Sequence, residues 1–159
     1  MIVKIGVKTL TPELVAYYEL KPGEKEVETL ALLNAEAHEK GARPKDPTII
    51  VYQDPKGTKG CRIEVQVPID KEVPGLSTKI LPEIRAGFIV FSGTRYPIEH
   101  YYEELRKYIK ERGLTPTSNS LCSMEAVYQP DTYGLSTGSF IDEDAQEHWT
   151  TEILIPIES

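Results

Sequence analysis

Apolar and polar residues alternate with two different periods along the chain, and the change of period separates predicted strands from predicted helices. In the first half, an extended N-terminal segment ends at a Pro-Gly turn pair. Apolar residues then recur every three or four positions, which predicts a helix over roughly 24–40. Gly41 and Pro44 follow it, as is typical of a helix end. Short apolar runs near 48–53 and 61–69 predict two strands.

The second half repeats this order of elements. A strand is predicted over 84–91, a helix over 97–112, and two strands near 121–128 and 149–157. Acidic residues lie early in the predicted helix and basic residues late, which suits the helix dipole. The plan is therefore β-α-β-β, twice.

Short segments of the two halves also match each other in the same order. The pairs are TPELVAYYELKPG (11–23) with LPEIRAGFIVFSG (81–93), EKGARP (39–44) with ERGLTP (111–116), IIVYQDP (49–55) with EAVYQPD (125–131), and IEVQVPI (63–69) with TEILIPI (151–157). The offset between partners grows from 70 to 88 along the chain, as loop insertions would produce. We interpret the matches as an internal repeat.

The repeat predicts an α+β fold, namely a tandem pseudo-two-fold repeat of two β-α-β-β units with antiparallel sheets and a ligand cleft between them. One helix covers only one face of a small sheet, so two units would bury their remaining surfaces together. We expect residues 1–159 to form a single domain. Repeat 1–70 and repeat 80–159 would be joined by a connector, 71–79.

Composition narrows the choice of partners. The chain of 159 residues carries 25 acidic and 18 basic side chains, a net charge of −7, which argues against direct contact with nucleic acid. No apolar run is long enough to span a bilayer and no signal peptide is evident, so we expect a cytoplasmic protein that binds no membrane. Cys61 and Cys122 are expected to be buried free thiols and not a disulfide, and neither a metal site nor a cofactor is predicted.

Glu125 interrupts an otherwise apolar strand, MEAVY. When the Val-Tyr-Gln triplets are aligned, Glu125 takes the place of Ile49, in a strand that is apolar on both faces. A carboxylate buried there is costly and is usually retained for a function. The alternatives are an edge strand on which Glu125 faces water, or a structural ion pair with Arg85 or Arg95.

Tyrosines and a second acid pair extend the candidate site. The chain has nine Tyr against three Phe and one Trp, and a tyrosine ring offers both a face for cations and a hydrogen-bonding tip. Tyr52 and Tyr128 fall at matching places when the Val-Tyr-Gln triplets are aligned. Glu64 and Glu152 match when IEVQVPI is aligned with TEILIPI. They are expected to face solvent or, for Glu152, to be part of the site. The acidic run 141–148 is expected to be a solvated loop or lid.

A family resemblance follows from three segments in order: GTRYPIEHYYEELRKYIKERGL (93–114), MEAVYQPD (124–131) and TEILIPI (151–157). Together with the first β-α-β-β unit they resemble the GyrI-like or AraC-type effector-binding domain, over nearly the whole chain. The resemblance implies a pseudo-two-fold fold with a ligand cleft between the repeats. Members of that family occur as drug-sensing parts of transcription regulators, as stand-alone proteins including a gyrase inhibitor, and as hydrolases of cyclopropane-bearing toxins.

The resemblance also implies a pocket acid. In the family, an acidic residue ahead of a Tyr in the second half lies in the pocket, and here it maps onto Glu125, with Tyr128 following. One residue usually separates the two, whereas Ala126 and Val127 do so here. Either a bulge absorbs the extra residue or Glu125 and Tyr128 face opposite sides of the sheet. The candidate ligand-binding residues are Glu125, Tyr52, Tyr96, Tyr102, Glu152 and Trp149.

Three functions remain open. The first is a stand-alone protein that binds a hydrophobic or cationic small molecule, as a multidrug-binding protein does. We expect it to be stand-alone because no basic segment precedes the strand at Ile2. The second is a hydrolase of small electrophiles, with Glu125 as general acid or base and Tyr128 assisting. The third is an inhibitory module that binds a protein partner through its acidic surface.

Overall fold

The computed structural model describes residues 1–93, 97–117, 122–128 and 150–158. These ranges contain eight strands and two helices. The elements are β1 (Ile2–Leu10), β2 (Glu13–Glu19), α1 (Glu26–Glu39), β3 (Thr48–Tyr52), β4 (Ile63–Pro68), β5 (Thr78–Leu81), β6 (Ile84–Ser92), α2 (Ile98–Glu111), β7 (Ser123–Tyr128) and β8 (Thr150–Pro156). Every element of the predicted β-α-β-β units is present, and each repeat has one further strand in front of it, β1 or β5.

All eight strands form one antiparallel sheet in the order β1-β6-β8-β7-β3-β4-β2-β5. The order is symmetric about the central β7–β3 pair, so the predicted α+β fold with pseudo-two-fold repeats is confirmed. The first strand of each repeat pairs with the second strand of the other repeat, β1 with β6 and β5 with β2. This exchange joins the two halves at the outer strands as well as at the centre.

The strand register corrects the alignment of the two repeats by one residue. Glu64 pairs with Val51, and its counterpart Glu152 pairs with Ala126. The residue equivalent to Glu125 is therefore Ile50, directly opposite it in the sheet, and not Ile49. The shared Val-Tyr-Gln triplet reflects similar residue types, and a shift of one residue moves each side chain to the other face.

Both helices pack on the same face of the sheet, each over its own half. Leu30, Leu33 and Ala37 of α1 are buried in one core cluster with residues of β2, β3 and β4. Tyr102, Leu105 and Ile109 of α2 are buried in another, with residues of β6 and β8. A third cluster, which includes Phe88, Met124 and Leu154, lies on the opposite face. The strip of the helix-bearing face between the two helices is formed by β3 and β7.

The amphipathic pattern explains why α2 forms where it does. Tyr102, Leu105 and Ile109 recur at three- and four-residue spacing and are the buried residues at its centre. Gly113, with φ of 68°, follows the last turn and adopts a left-handed conformation that other residues rarely take. None of the helices in the described ranges is long and apolar enough to cross a membrane.

Candidate functional site

Glu125 lies at the centre of the sheet, on the face that carries the helices. Its neighbours across the strands are Val65, Ile50 and Ile153, all of them fully buried. The exposed fraction of Glu125 itself is 0%. The edge-strand alternative is therefore wrong, because β7 is flanked by β3 and β8 and the carboxylate is enclosed in a row of branched alkyl side chains.

Two donors hold one oxygen of this carboxylate. The Tyr102 hydroxyl donates to Glu125 Oε2 at 2.6 Å, and the Lys56 ammonium donates to the same oxygen at 2.7 Å. Ser123 Oγ lies 3.3 Å from the Tyr102 hydroxyl. The Glu125 side chain thus has the charge and hydrogen-bond partners that a buried carboxylate requires.

Among the described residues, the ion-pair partner of Glu125 is a lysine and not Arg85, one of the two arginines of the structural alternative. Lys56 is the partner, and it stands on the turn between β3 and β4, 69 positions away in the chain. Arg85 instead donates to the Glu158 carbonyl at 3.4 Å. Arg95 lies outside the described residues.

The Lys56 ammonium is also enclosed by two aromatic rings. It lies 5.0 Å from the centroid of the Tyr52 ring and 5.2 Å from that of the Tyr102 ring. The carboxylate and the two ring faces therefore surround one cation, an arrangement that we call the Glu125 cage: Glu125, Tyr52 and Tyr102. Such rings attract cations by about 0.5–2 kcal/mol each, more when water is excluded.

A cavity of about 610 Å³ adjoins this cage. Lys56, Tyr102 and Ser123 line it, together with apolar residues such as Ile109 and Ile155. The Lys56 side chain is 23% exposed, whereas the Glu125 side chain is inaccessible. Lys56 therefore stands between the cavity and the carboxylate.

Burial and the neighbouring Glu125 charge strongly raise the pKa of the Tyr102 hydroxyl. Burial makes the larger contribution, and the Glu125 charge and hydrogen bond add to it, because a phenolate beside a carboxylate would place two negative charges together. Tyr102 remains protonated in the folded protein. It acts as a hydrogen-bond donor to Glu125 and is unsuited to act as a base.

Tyr128 and Glu152 lie on the opposite face of the sheet from Glu125. Both line a second cavity there, and Glu152 forms an ion pair with Lys8. Glu64 and Glu152 are 7% and 3% exposed, so the expectation that they face solvent is wrong. Burial, followed by the charges of Glu152 and Asp46, raises the pKa of Tyr128. Of the two arrangements left open by the spacing in MEAVY, opposite faces is the one found. Glu125 and Tyr128 therefore do not share a site.

The structure thus brings together three of the candidate residues, Glu125, Tyr52 and Tyr102. The expectation that Tyr52 and Tyr128 occupy matching places is wrong, because the corrected register pairs Tyr128 with Gln53 and Tyr52 with Val127 as equivalents. Tyr96, Trp149 and the acidic run 141–148 lie outside the described residues. Cys61 and Cys122 are free thiols, as predicted, but both are half-buried and not buried.

Sequence reasoning missed Lys56, which completes the site. It stands in the turn-rich stretch DPKGTKG, where a lysine is an ordinary surface residue. Only the buried Glu125 offered a signal, since a buried carboxylate requires a cation, but many lysines and arginines in the chain could have supplied it.

An eight-stranded antiparallel sheet with two helices on one face defines the fold class. The C-terminal domain of EcmrR has this fold, with a TM-score of 0.75 and 16% identity over 98% of each chain. EcmrR in its complex with DNA gives a TM-score of 0.72 at 15% identity, over 98% of this chain and 57% of that one.

Two further solved structures share the fold. SAV2435 bound to tetraphenylphosphonium has a TM-score of 0.53 and 11% identity, over 99% of this chain and 95% of that chain. A hydrolase encoded by lin2189 from Listeria innocua has a TM-score of 0.59 and 6% identity, over 98% and 92%. No family model matches the sequence, and no curated protein matches it. The fold expected from the GyrI-like resemblance is confirmed.

Proposed function

We propose that this protein binds a lipophilic organic cation at the Glu125 cage, in the place that the Lys56 ammonium occupies in this structure. The observation that carries the proposal is the Lys56 ammonium itself. It lies 2.7 Å from Glu125 Oε2 and about equally far from the Tyr52 and Tyr102 rings, at 5.0 and 5.2 Å. The protein already holds a cation where a ligand cation would bind.

A bulky cation with delocalised charge is the ligand best suited to replace the Lys56 ammonium. An ammonium is strongly hydrated, so Lys56 gains solvation when it leaves the cage. A delocalised cation loses less hydration on burial, and its apolar substituents can fill the adjoining cavity of about 610 Å³. Glu125 keeps a counter-ion throughout, which avoids an uncompensated buried charge.

One solved structure with this fold supports the same ligand class. SAV2435 is bound to tetraphenylphosphonium, a lipophilic cation with four aromatic rings. The fold is thus compatible with a cation site of the kind proposed.

A hydrolase is the second candidate, and the 2.6 Å hydrogen bond from Tyr102 to Glu125 favours it. Glu125 would accept a proton from an attacking water molecule, and the protonated Tyr102, whose hydroxyl donates to Glu125, would hold the carboxylate in position. Tyr102 takes the assisting role first given to Tyr128, which lies on the other face. A hydrolase from Listeria innocua has the same fold.

Isothermal titration calorimetry with tetraphenylphosphonium tests the binding proposal. We expect Glu125→Gln to weaken binding by about tenfold or more, because a neutral amide replaces the counter-charge. Glu103→Gln, an exposed change of equal charge on α2, is the matched control and should have little effect. Equal affinities in wild type and Glu125→Gln would refute the proposal.

Product analysis of the same mixtures, with neutral electrophiles added, separates binder from enzyme. A hydrolase would give a product that Glu125→Gln no longer forms although the variant still folds.

A further inference from the structure

A second cavity, of about 650 Å³, lies on the face of the sheet that carries no helix. Its floor is apolar and includes Ile49, Val51, Met124 and Leu154. Among the described residues that line it, five are acidic and two are lysines: Glu13, Glu19, Asp46, Glu64 and Glu152, against Lys8 and Lys79. The cavity therefore combines an apolar floor with an excess of negative charge.

Two ion pairs related by the pseudo-two-fold axis stand in this cavity. Lys79 Nζ lies 2.6 Å from Glu64 Oε2, and Lys8 Nζ contacts Glu152 Oε2 in the same manner. Each ammonium also lies over an aromatic ring, Lys79 at 4.3 Å from the Tyr17 centroid and Lys8 at 4.9 Å from the Phe88 centroid.

The two partners of each ion pair differ in solvent exposure. The side chains of Glu64 and Glu152 are 9% and 4% exposed, whereas those of Lys79 and Lys8 are 39% and 36% exposed. The carboxylates are built into the cavity wall. The lysines contact them from the rim of the cavity. A ligand ammonium can therefore replace a lysine ammonium while the buried carboxylates stay in place.

Gln66 adds a buried carbonyl oxygen to this cavity. It is 3% exposed, and its Nε2 donates to Glu64 Oε2 at 2.6 Å, which fixes the orientation of the amide. Its Oε1 accepts no hydrogen bond from any described residue. The equivalent residue in the other repeat is Leu154. A buried acceptor of this kind requires a hydrogen-bond donor. Because leucine takes the equivalent place in the other repeat, the fold does not require a polar side chain there.

The register gives the spacing of these groups. Glu64 and Glu152 lie three strands apart, on β4 and β8, and are displaced by two residues along the sheet. At ~4.8 Å per strand and ~3.4 Å per residue, their Cα atoms are roughly 16 Å apart along a flat sheet. Gln66 lies in the same cross-strand row as Glu152, on the strand of Glu64.

We propose that this cavity binds a linear aliphatic polyamine. Its terminal ammonium groups replace Lys79 on Glu64 and Lys8 on Glu152, its methylene groups lie on the apolar floor, and an internal ammonium donates to Gln66 Oε1. This site is separate from the Glu125 cage, since the side chains of β3 and β7 that form the two sites point to opposite faces.

Calorimetric titration of the intact protein with spermidine, a triamine, tests the proposal. Glu64→Gln and Glu152→Gln should each weaken binding by about tenfold. Gln66→Leu, which copies the other repeat, should weaken it by about threefold. Glu103→Gln removes one exposed charge and should change affinity by less than about twofold. No binding by wild type, or equal losses in Glu103→Gln and Glu64→Gln, would overturn the proposal.

Lysine variants keep the test decisive if a carboxylate variant fails to fold. Lys79→Gln and Lys8→Gln remove the tethered competitors, so spermidine should bind more tightly, by about threefold, than it does to Lys107→Gln. Lys107 is exposed on α2 and its replacement alters the net charge equally. If all three variants bind spermidine alike, the lysines do not occupy the polyamine site and the proposal fails.

Discussion

The two faces of the sheet use the same three groups, a buried carboxylate, a lysine and an aromatic ring, but they do so in different numbers. Among the described residues, the helix-bearing face has one such arrangement, centred on Glu125, and the opposite face has two, at Glu64 and Glu152. The difference follows from the pseudo-two-fold axis, which passes between Ile50 and Glu125 because these equivalent residues lie directly opposite each other.

A residue away from the axis is duplicated by the repeat without conflict, as Glu64 and Glu152 are. A carboxylate on the axis would face its own copy across adjacent strands, and two like charges in that position repel. One repeat therefore supplies Glu125 and the other Ile50. The site at the centre of the sheet is therefore single and asymmetric although the fold is repeated.

The largest expected effect is that removal of a carboxylate from one face weakens one ligand and removal from the other face weakens the other. Glu125→Gln should weaken tetraphenylphosphonium binding by about tenfold or more and leave spermidine binding nearly unchanged, whereas Glu152→Gln should do the reverse. Calorimetric titrations of both variants with both cations measure this. The distinction between the faces is lost if either variant weakens both ligands to the same extent.

Stability provides the next test, on the helix-bearing face alone. Tyr102→Phe leaves the buried Glu125 carboxylate without one donor, so the free energy of unfolding should fall by about 1.5–3 kcal/mol. Tyr101 is the matched control, since the contact of its hydroxyl with the N-terminal amine is exposed while its ring stacks on Phe91. Tyr101→Phe should change stability by less than about 0.5 kcal/mol in urea unfolding. Similar losses in both variants would contradict the buried network.

The turn that carries Lys56 gives the smallest effect, and it depends on pH. Hydrogen bonds from the Arg62 side chain and backbone lower the pKa of Asp54 to about 2, from 3.8. A lowered pKa in the folded state means that this stabilisation is complete above about pH 4 and is lost as the pH falls through about 2. Wild type should therefore have a higher Tm than Asp54→Asn near neutral pH. Thermal unfolding followed down to about pH 2 should show the difference shrink; a difference independent of pH would contradict it.

Much of the fold was predictable because both halves of the chain show the same sequence of strand-like and helix-like spacings of apolar residues. The helix predicted over 97–112 is observed as Ile98–Glu111, and the burial of Glu125 followed from the apolar character of its strand. Strand β5, Thr78–Leu81, was missed because four residues give too short a pattern. The register error arose because the Val-Tyr-Gln triplet recurs one position out of step with the sheet.

The site was less predictable than the fold, for a physical reason. Lys56 reaches Glu125 from a turn, across 69 positions of chain, and no local pattern encodes such a contact. The face that a tyrosine occupies changes with a shift of a single residue, so Tyr128 could be placed only once the register was known. The same holds for Gln66, whose unsatisfied carbonyl has no signature in the sequence.

A double-mutant cycle on Glu125 and Lys56 tests most directly whether a ligand cation replaces Lys56 at the cage. Tetraphenylphosphonium affinity is measured for wild type, Glu125→Gln, Lys56→Gln and the double variant. We expect Lys56→Gln to tighten binding by about threefold or more when Glu125 is present and to have no effect when residue 125 is Gln, since the competing lysine then has no counter-charge. Equal effects of Lys56→Gln in both backgrounds would contradict it, because Lys56 would then act independently of Glu125.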